Sequence, residues 1–257
     1  MDGMNETNKD RINAIAARLV QFKAVTVNQL ADEYGLSKET IRRDLNELEL
    51  RGIAVRNHGG AILAQEIGGQ VYFKNRAVTN YLAKSKIGKL AAKLIDEDDT
   101  VFLDASTTCL YLAKQLVDKR VTIITNSLQI LCELMNFENI TLICTGGVVR
   151  LKEMDFYGES VEKCIESYCA RKVFFASTGF DISYGATSIK EEEARCQRAM
   201  IRSAEMVVYM CDQSKFGKVY YNKVADVDDI SYLITDGKLP QDWEGKMNPK
   251  LKVLYCD

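Results

Sequence analysis

The chain has one histidine, two prolines, one tryptophan and almost no net charge: 34 basic against 36 acidic side chains leave a formal −2 across 257 residues. A single histidine excludes a multi-histidine metal site built from one chain. No uncharged apolar run reaches the roughly 18 residues of a membrane span, and no basic segment precedes an apolar block in the opening "MDGMNETNKDRINAIAARLV". Neither a signal peptide nor a membrane partner is therefore expected, and the chain reads as cytoplasmic. Its eight cysteines, at 109, 132, 144, 164, 169, 196, 211 and 256, include no CxxC pair. They read as reduced thiols, not as a disulfide framework or zinc knuckle. No cofactor or metal is expected.

What is present divides into two regimes of hydrophobic period. From Lys9 to about Glu49, apolar residues recur at helical spacing: Ile12, Ile15, Leu19, then Val27, Leu30, Ala31, then Ile41, Leu45, Leu48. Thr26 can cap a helix starting near Val27, Gly35 suits a left-handed turn, and Ser37 with Thr40 precedes a third helix. Two helices joined by a short Gly-containing turn, with another packed behind, form a helix-turn-helix. After Gly52, "IAVRNHGGAIL" alternates and turns at Gly59-Gly60, which predicts a hairpin, the wing of a winged helix. The expected boundaries are a head over residues 1–61, a linker over 62–76 with no sustained period, and a second domain over 77–257. In the last, short β-branched runs such as "TVFLD", "VTIITNS", "KVFFASTG" and "MVVYMCDQS" alternate with helical stretches, predicting an α/β fold with a mainly parallel sheet.

On the third helix, Ser37, Lys38, Thr40, Arg42 and Arg43 cluster toward the N-terminus while Ile41, Leu45 and Leu48 face inward. A helix presented this way can enter a major groove, with arginine pairing to guanine and with Arg56, Asn57 and His58 of the wing gripping the backbone. The same pattern also fits an ordinary solvated face. Residues 1–62 carry equal numbers of basic and acidic side chains, so only their placement supports DNA. Asp44, Glu47 and Glu49 lie toward the far end of the helix.

Strand after strand in the second domain ends in small hydroxylated, amide, glycine or acidic residues: Asp104 to Thr108, Thr125 to Ser127, Thr145 to Gly147, Ser177 to Gly179, Asp212 to Lys215. Ligands of open parallel sheets sit outside these carboxyl ends. Asp104 can accept bonds from a polyol, Ser106, Thr107 and Thr108 suit a phosphate at a helix start, Lys215 adds a cation, and Glu192 and Asp181 add acceptors. For any single tip plain helix capping is the commoner reason for such residues, and it is their recurrence at five tips that points to a polar site.

The stretch "VTVNQLADEYGLSKETIRRDLNELELRGIAVRNHGGA" resembles the DNA-binding segment of DeoR-family transcriptional regulators, with its T-I-R-R-D-L core and a wing ending in H-G-G-A. "FLDASTT", "TNS", "TGGVVR", "STGFD", "EEEARCQRAMI" and "DQSKFG" resemble the effector domain of the same family. That resemblance implies a fold like ribose-5-phosphate isomerase, Thr40, Arg42 and Arg43 facing DNA, and Asp44 orienting an arginine. It assigns effector contacts to Asp104, Ser106, Thr107, Thr108, Asn126, Gly146, Gly147, Gly179, Asp181, Glu192 and Lys215. Many members carry glycine where this chain has Ser106, whose side chain narrows the phosphate loop.

The expected function is a non-enzymatic regulator, a repressor of a carbohydrate operon. It would bind double-stranded operator DNA as a homodimer or homotetramer and be relieved by a phosphorylated sugar or polyol. The alternative is a sugar-phosphate isomerase with an accessory helix-turn-helix, in which Glu192 with Lys215 or Asp104 supplies the positioned base and the electrophile.

Overall fold

The computed structural model of the chain describes residues 3–50, 53–57, 59–63, 73–243, 245 and 248–256. They form two compact units, Met1–Tyr81 and Leu82–Asp257.

The first unit runs α1 (Gly3–Phe22), β1 (Ala24–Thr26), α2 (Val27–Tyr34), α3 (Lys38–Leu50), β2 (Ala54–Asn57), β3 (Gly60–Leu63) and α4 (Phe73–Val78). The Thr26 side chain accepts from the Gln29 N–H, capping α2, and Gly35 at φ 63° closes it by donating to the Ala31 carbonyl. Ser37 Oγ accepts from the Thr40 N–H at 3.1 Å and opens α3 in the same way. Apolar residues at helical spacing then meet in one core, with Ile15, Leu19, Leu30, Ile41, Leu45 and Leu48 fully buried. Each such side chain contributes about 1.5–3 kcal/mol on leaving water.

The small sheet has the order β1-β3-β2 and is antiparallel throughout. β1 has no counterpart in the sequence reading, because three residues are too few to display a period. Gly60 is not a turn residue, as "HGGA" had suggested, but the first residue of β3. A Cβ there would lie 2.0 Å from the Val25 carbonyl oxygen, so only glycine lets β3 approach β1. The two ends of the expected linker over 62–76 belong to regular elements, and residues 64–72 lie outside the described residues. Ile62 pairs with Ala24 and Val55 in the sheet, and residues 73–76 belong to α4. Val78 of α4 joins the first core, which is why the first unit extends to Tyr81, beyond the expected boundary at 77.

The second unit continues with α5 (Tyr81–Ala91), β4 (Thr100–Leu103), α6 (Thr107–Ala113), β5 (Val121–Thr125), α7 (Leu128–Leu134), β6 (Ile140–Cys144), β7 (Val148–Arg150), β8 (Asp155–Tyr157) and α8 (Glu159–Glu166). Then follow β9 (Ala170–Phe175), β10 (Gly179–Asp181), β11 (Gly185–Ser188), α9 (Glu191–Arg202), β12 (Ala204–Met210), β13 (Asn222–Ala225), β14 (Tyr232–Thr235) and β15 (Lys252–Tyr255). Among the described residues, β15-β14-β12-β9-β4-β5-β6 form one parallel sheet. The chain builds outward from β4 to β6, returns to the other side of β4 at β9, and builds the opposite way to β15. The strand order therefore reverses between β4 and β9. Aromatic side chains fill the space beside β12: the Tyr209 ring lies 4.9 Å from both Phe175 and Phe180, and Phe180 meets Trp243 edge-on at 5.6 Å.

Candidate functional site

In the first unit, burial of Ile41, Leu45 and Leu48 on one side of α3 leaves Lys38, Glu39, Arg42, Arg43 and Asn46 on the outer face. Ser37 and Thr40 are engaged with each other, their hydroxyls 2.9 Å apart, so they shape the first turn while the cations beside them stay exposed. Arg42 lies 3.5 Å from Glu39, an exposed pair of little energy that costs little to exchange for another anion. Asp44 is buried and takes two hydrogen bonds, at 2.7 and 3.0 Å, from the Arg11 guanidinium. The arginine it orients is thus on α1, and the pair ties α1 to α3. On the wing, Arg56 is half-buried and its backbone N–H donates to Glu49 at 2.9 Å. Asn57 pairs with Gly60 across the turn, while His58 lies outside the described residues.

In the second unit the tips of β4 and β9 flank the reversal of strand order, the position at which open sheets form a crevice. Asp104, just past β4, is buried there. One oxygen accepts from the Ser106 N–H at 2.8 Å, and the other accepts from the Ala176 N–H at 3.2 Å and the Gln197 amide at 2.6 Å. Gln197 also donates to the Ala176 carbonyl at 2.7 Å. Asp104 is therefore a clamp joining β4, β9 and α9, and its carboxylate is occupied by the fold. Ser106 caps α6 through the Cys109 N–H. The first N–H groups of that helix, at Thr107 and Thr108, have no partner within it.

The remaining assigned residues divide by what holds them. Gly147 would bring a Cβ within 2.4 Å of the Val161 side chain, and Gly179 one within 2.2 Å of the Lys218 carbonyl oxygen, so packing alone requires glycine at both. Asp181 accepts from the Ser183 N–H and closes the β10–β11 hairpin turn. Gly146, at φ 65°, has open space where its Cβ would stand. Glu192 is exposed and 3.8 Å from Arg150, and Lys215 is half-buried in the turn after β12.

Asn126 follows β5, beside Asp104 in register, since Leu103 pairs with Thr125. Its amide donates to the Phe156 carbonyl at 3.1 Å, and its Oδ1 is buried without a hydrogen-bond partner. Gln197 Oε1 is in the same condition. Rotating either amide by 180° would turn an acceptor toward acceptors, so the assignment is chemically forced.

Sequence reasoning passed over Gln197, Arg150 and Lys190. Arg150 donates twice to the buried Asp155, at 3.0 and 2.6 Å, and Lys190 pairs with the buried Glu153, which fastens the β7–β8 hairpin to the start of α9. Burial pushes the Asp155 carboxyl above its ordinary value against the pull of Arg150. Burial also raises the thiols nearby, Cys109 strongly and Cys196 to about 12, so both stay protonated near neutrality. A groove of about 670 Å³ lies elsewhere, between α9 and β13. Two of its lining cations, Arg198 and Lys223, pair with Glu191 and Asp226 of the same lining.

Residues 11–66 match the DeoR-like helix-turn-helix domain and residues 79–237 match the DeoR C-terminal sensor domain. Two regulators of Bacillus subtilis, the uncharacterized HTH-type transcriptional regulator YulB and the HTH-type transcriptional repressor GlcR, are 38% and 35% identical to this chain. The first match covers 90% of both chains, the second 90% of this chain and 89% of the repressor. The L-fucose operon activator of Escherichia coli is 32% identical over 88% of this chain and 94% of its own length. Among solved structures, a ribose 5-phosphate isomerase from Methanocaldococcus jannaschii overlaps 54% of this chain and 55% of its own at 18% identity, with a TM-score of 0.40. With both of its units matched in order and relatives aligned across nine-tenths of its length, the chain belongs to the DeoR family of transcriptional regulators.

Proposed function

We propose that this regulator represses a carbohydrate operon by reading its operator with the outer face of α3, and that a phosphorylated sugar or polyol at the β4/β9 crevice releases it. The single observation that carries the ligand class is the pair of orphaned acceptors. Asn126 Oδ1 and Gln197 Oε1 are buried beside the switch point with no donor, and an unmet buried acceptor costs about 1–3 kcal/mol until something supplies one. Hydroxyl groups supply donors, and the free N–H groups at the start of α6 suit a phosphate. Arg42 and Arg43, exposed beside a buried apolar seam, support the DNA contact, and two such heads on a dimer would reach two half-sites. Isomerase chemistry is the weaker reading, because Asp104 already receives three donors and has no freedom to act as a base.

Relatives include a named repressor and a named activator, so the sign of the response belongs to the test. Fluorescence anisotropy of the full-length protein on a labelled fragment from its own upstream region, at fixed salt, is read with a panel of sugar and polyol phosphates and with inorganic phosphate. One class of ester should lower DNA affinity while inorganic phosphate does nothing. An ester that raises affinity reverses the sign, and tight binding that no ester alters removes the ligand half of the proposal.

A further inference from the structure

The seven-stranded sheet ends differently at its two edges. β15 carries Lys252, a charge of the kind that keeps sheet edges apart. β6, "ITLIC", carries none, and the uncharged stretch runs from Asn139 to Val149. No strand among the described residues pairs with the outer edge of β6. Thr145 donates its N–H inward to the Thr125 carbonyl at 3.2 Å. By the alternation of a strand, Leu142 and Cys144 turn their N–H and C=O groups outward, while the Ile140 N–H is taken by the Phe137 carbonyl at 3.1 Å.

Exposed apolar side chains gather on both sides of this strand. Met135 (69% exposed) and Phe137 stand just before it, and Val148, Val149 and Leu151 (72% exposed) just after it. Several exposed apolar side chains flanking an unpaired edge mark an interaction site, not a solvated face.

We propose that β6 is the dimerisation edge of this chain, pairing antiparallel with β6 of a second copy about a two-fold axis near Leu142. Charge selects this occupant. In a self-complementary pairing every charge near the axis meets its own like, and this edge alone of the two is free of charge. Antiparallel pairing also brings Met135 and Phe137 of one copy toward Val148 and Val149 of the second, so each apolar cluster is covered by the other. The two sheets become one continuous sheet across the dimer.

The test is the oligomeric state of the full-length protein by light scattering across a dilution series, compared with the double variant Thr141→Lys, Cys144→Lys. Both side chains are exposed in the single chain, so neither substitution disturbs the core. The parent should be dimeric at micromolar concentration. The variant should dissociate at a concentration at least about tenfold higher, which corresponds to about 1.4 kcal/mol or more of like-charge cost. Hydrogen exchange on the parent, independent of any variant, should show the Leu142 and Cys144 amides protected at high concentration and fast on dilution. A monomeric parent, a variant that dimerises as well as the parent, or a dimer whose Leu142 and Cys144 amides exchange freely would each overturn the proposal. The last two outcomes would put the dimer contact elsewhere and leave the two-headed DNA reading untouched.

Discussion

Replacing Asp104 with alanine strips an acceptor from three donors that have few alternatives. The Ala176 N–H and the Gln197 amide are buried, the Ser106 N–H is half-buried, and only Gln197 retains a second acceptor, the Ala176 carbonyl. At about 1–3 kcal/mol for each fully orphaned buried donor, with partial relief for Gln197 and Ser106, the loss is about 2–4 kcal/mol. In a unit of this size that lowers the melting temperature by roughly 5–15 °C. Trp243, the only tryptophan in the chain, is buried in the second unit against Phe180 and Phe216. Urea unfolding followed by its fluorescence therefore reports on the clamp without interference from the head. Asp104→Asn, which retains one acceptor oxygen, should lose about half as much. A loss below about 1 kcal/mol in Asp104→Ala, together with an abolished ligand response, would show the carboxylate to be free for a ligand and the clamp argument to be mistaken.

The other expectations concern the head, the crevice and the base of the sheet. Arg42→Ala or Arg43→Ala should weaken operator binding by about 1–3 kcal/mol and relax preference at one base position if that side chain reads guanine. Uniform weakening with a shallower salt slope would assign it to phosphate instead. Gly60→Ala drives a Cβ into the Val25 carbonyl, and the head should lose more than about 2 kcal/mol by circular dichroism melting; a normal melt would mean that β3 can shift. Gln197→Lys keeps donors for Asp104 and the Ala176 carbonyl but deletes the acceptor. DNA affinity should hold while the ester response weakens about tenfold, and an unchanged response would remove Gln197 from the ligand's reach. At the opposite end of the sheet, Lys172 donates to Asp99 and Asp96. Burial pushes the Asp99 carboxyl up, but Lys172, helped by the Asp96 N–H and Arg171, outweighs it and holds the group below its ordinary value. Lys172 is correspondingly raised despite its own burial. The pair's stabilisation is therefore full above the unfolded carboxylate value near pH 4 and below the unfolded lysine value near pH 10. It fades outside that window as each group passes its folded value. Lys172→Met leaves the buried Asp99 with only the longer ion pair to Arg171 at 3.4 Å and should cost about 2–3 kcal/mol at pH 7, and urea melts showing under about 1 kcal/mol would contradict a buried, paired charge.

Local signals were legible wherever the chemistry is completed within a few residues. Thr26, Gly35 and the Ser37–Thr40 pair cap the helices the sequence predicts, because a cap needs only its own next turn. The principal β-branched runs became the parallel strands for a similar reason: a strand buried on both faces has to be apolar throughout. The three residues of β1, and the strand and helix at the two ends of the expected linker, carried too few positions for any period to emerge. Strand tips read as one polar class divided, in the folded chain, into the clamp of Asp104, the turn of Asp181, the tight packing of Gly147 and Gly179, the open position of Gly146 and the buried, unmet acceptor of Asn126.

The sequence by itself determined the family, the helix-turn-helix with its caps, and the α/β alternation, since these rest on spacing along the chain. Only the tertiary structure decided which side chains meet. Asp104 and Gln197 lie 93 positions apart, and Arg11 and Asp44 lie 33 apart. No local pattern links such pairs. They come together because β9 returns to the free side of β4 and α9 crosses the tips of both, and because the buried stripes of α1 and α3 share one core. A residue type announces what it can donate or accept. Whether that capacity is spent on the fold or left for a ligand depends on neighbours that the order of the strands supplies.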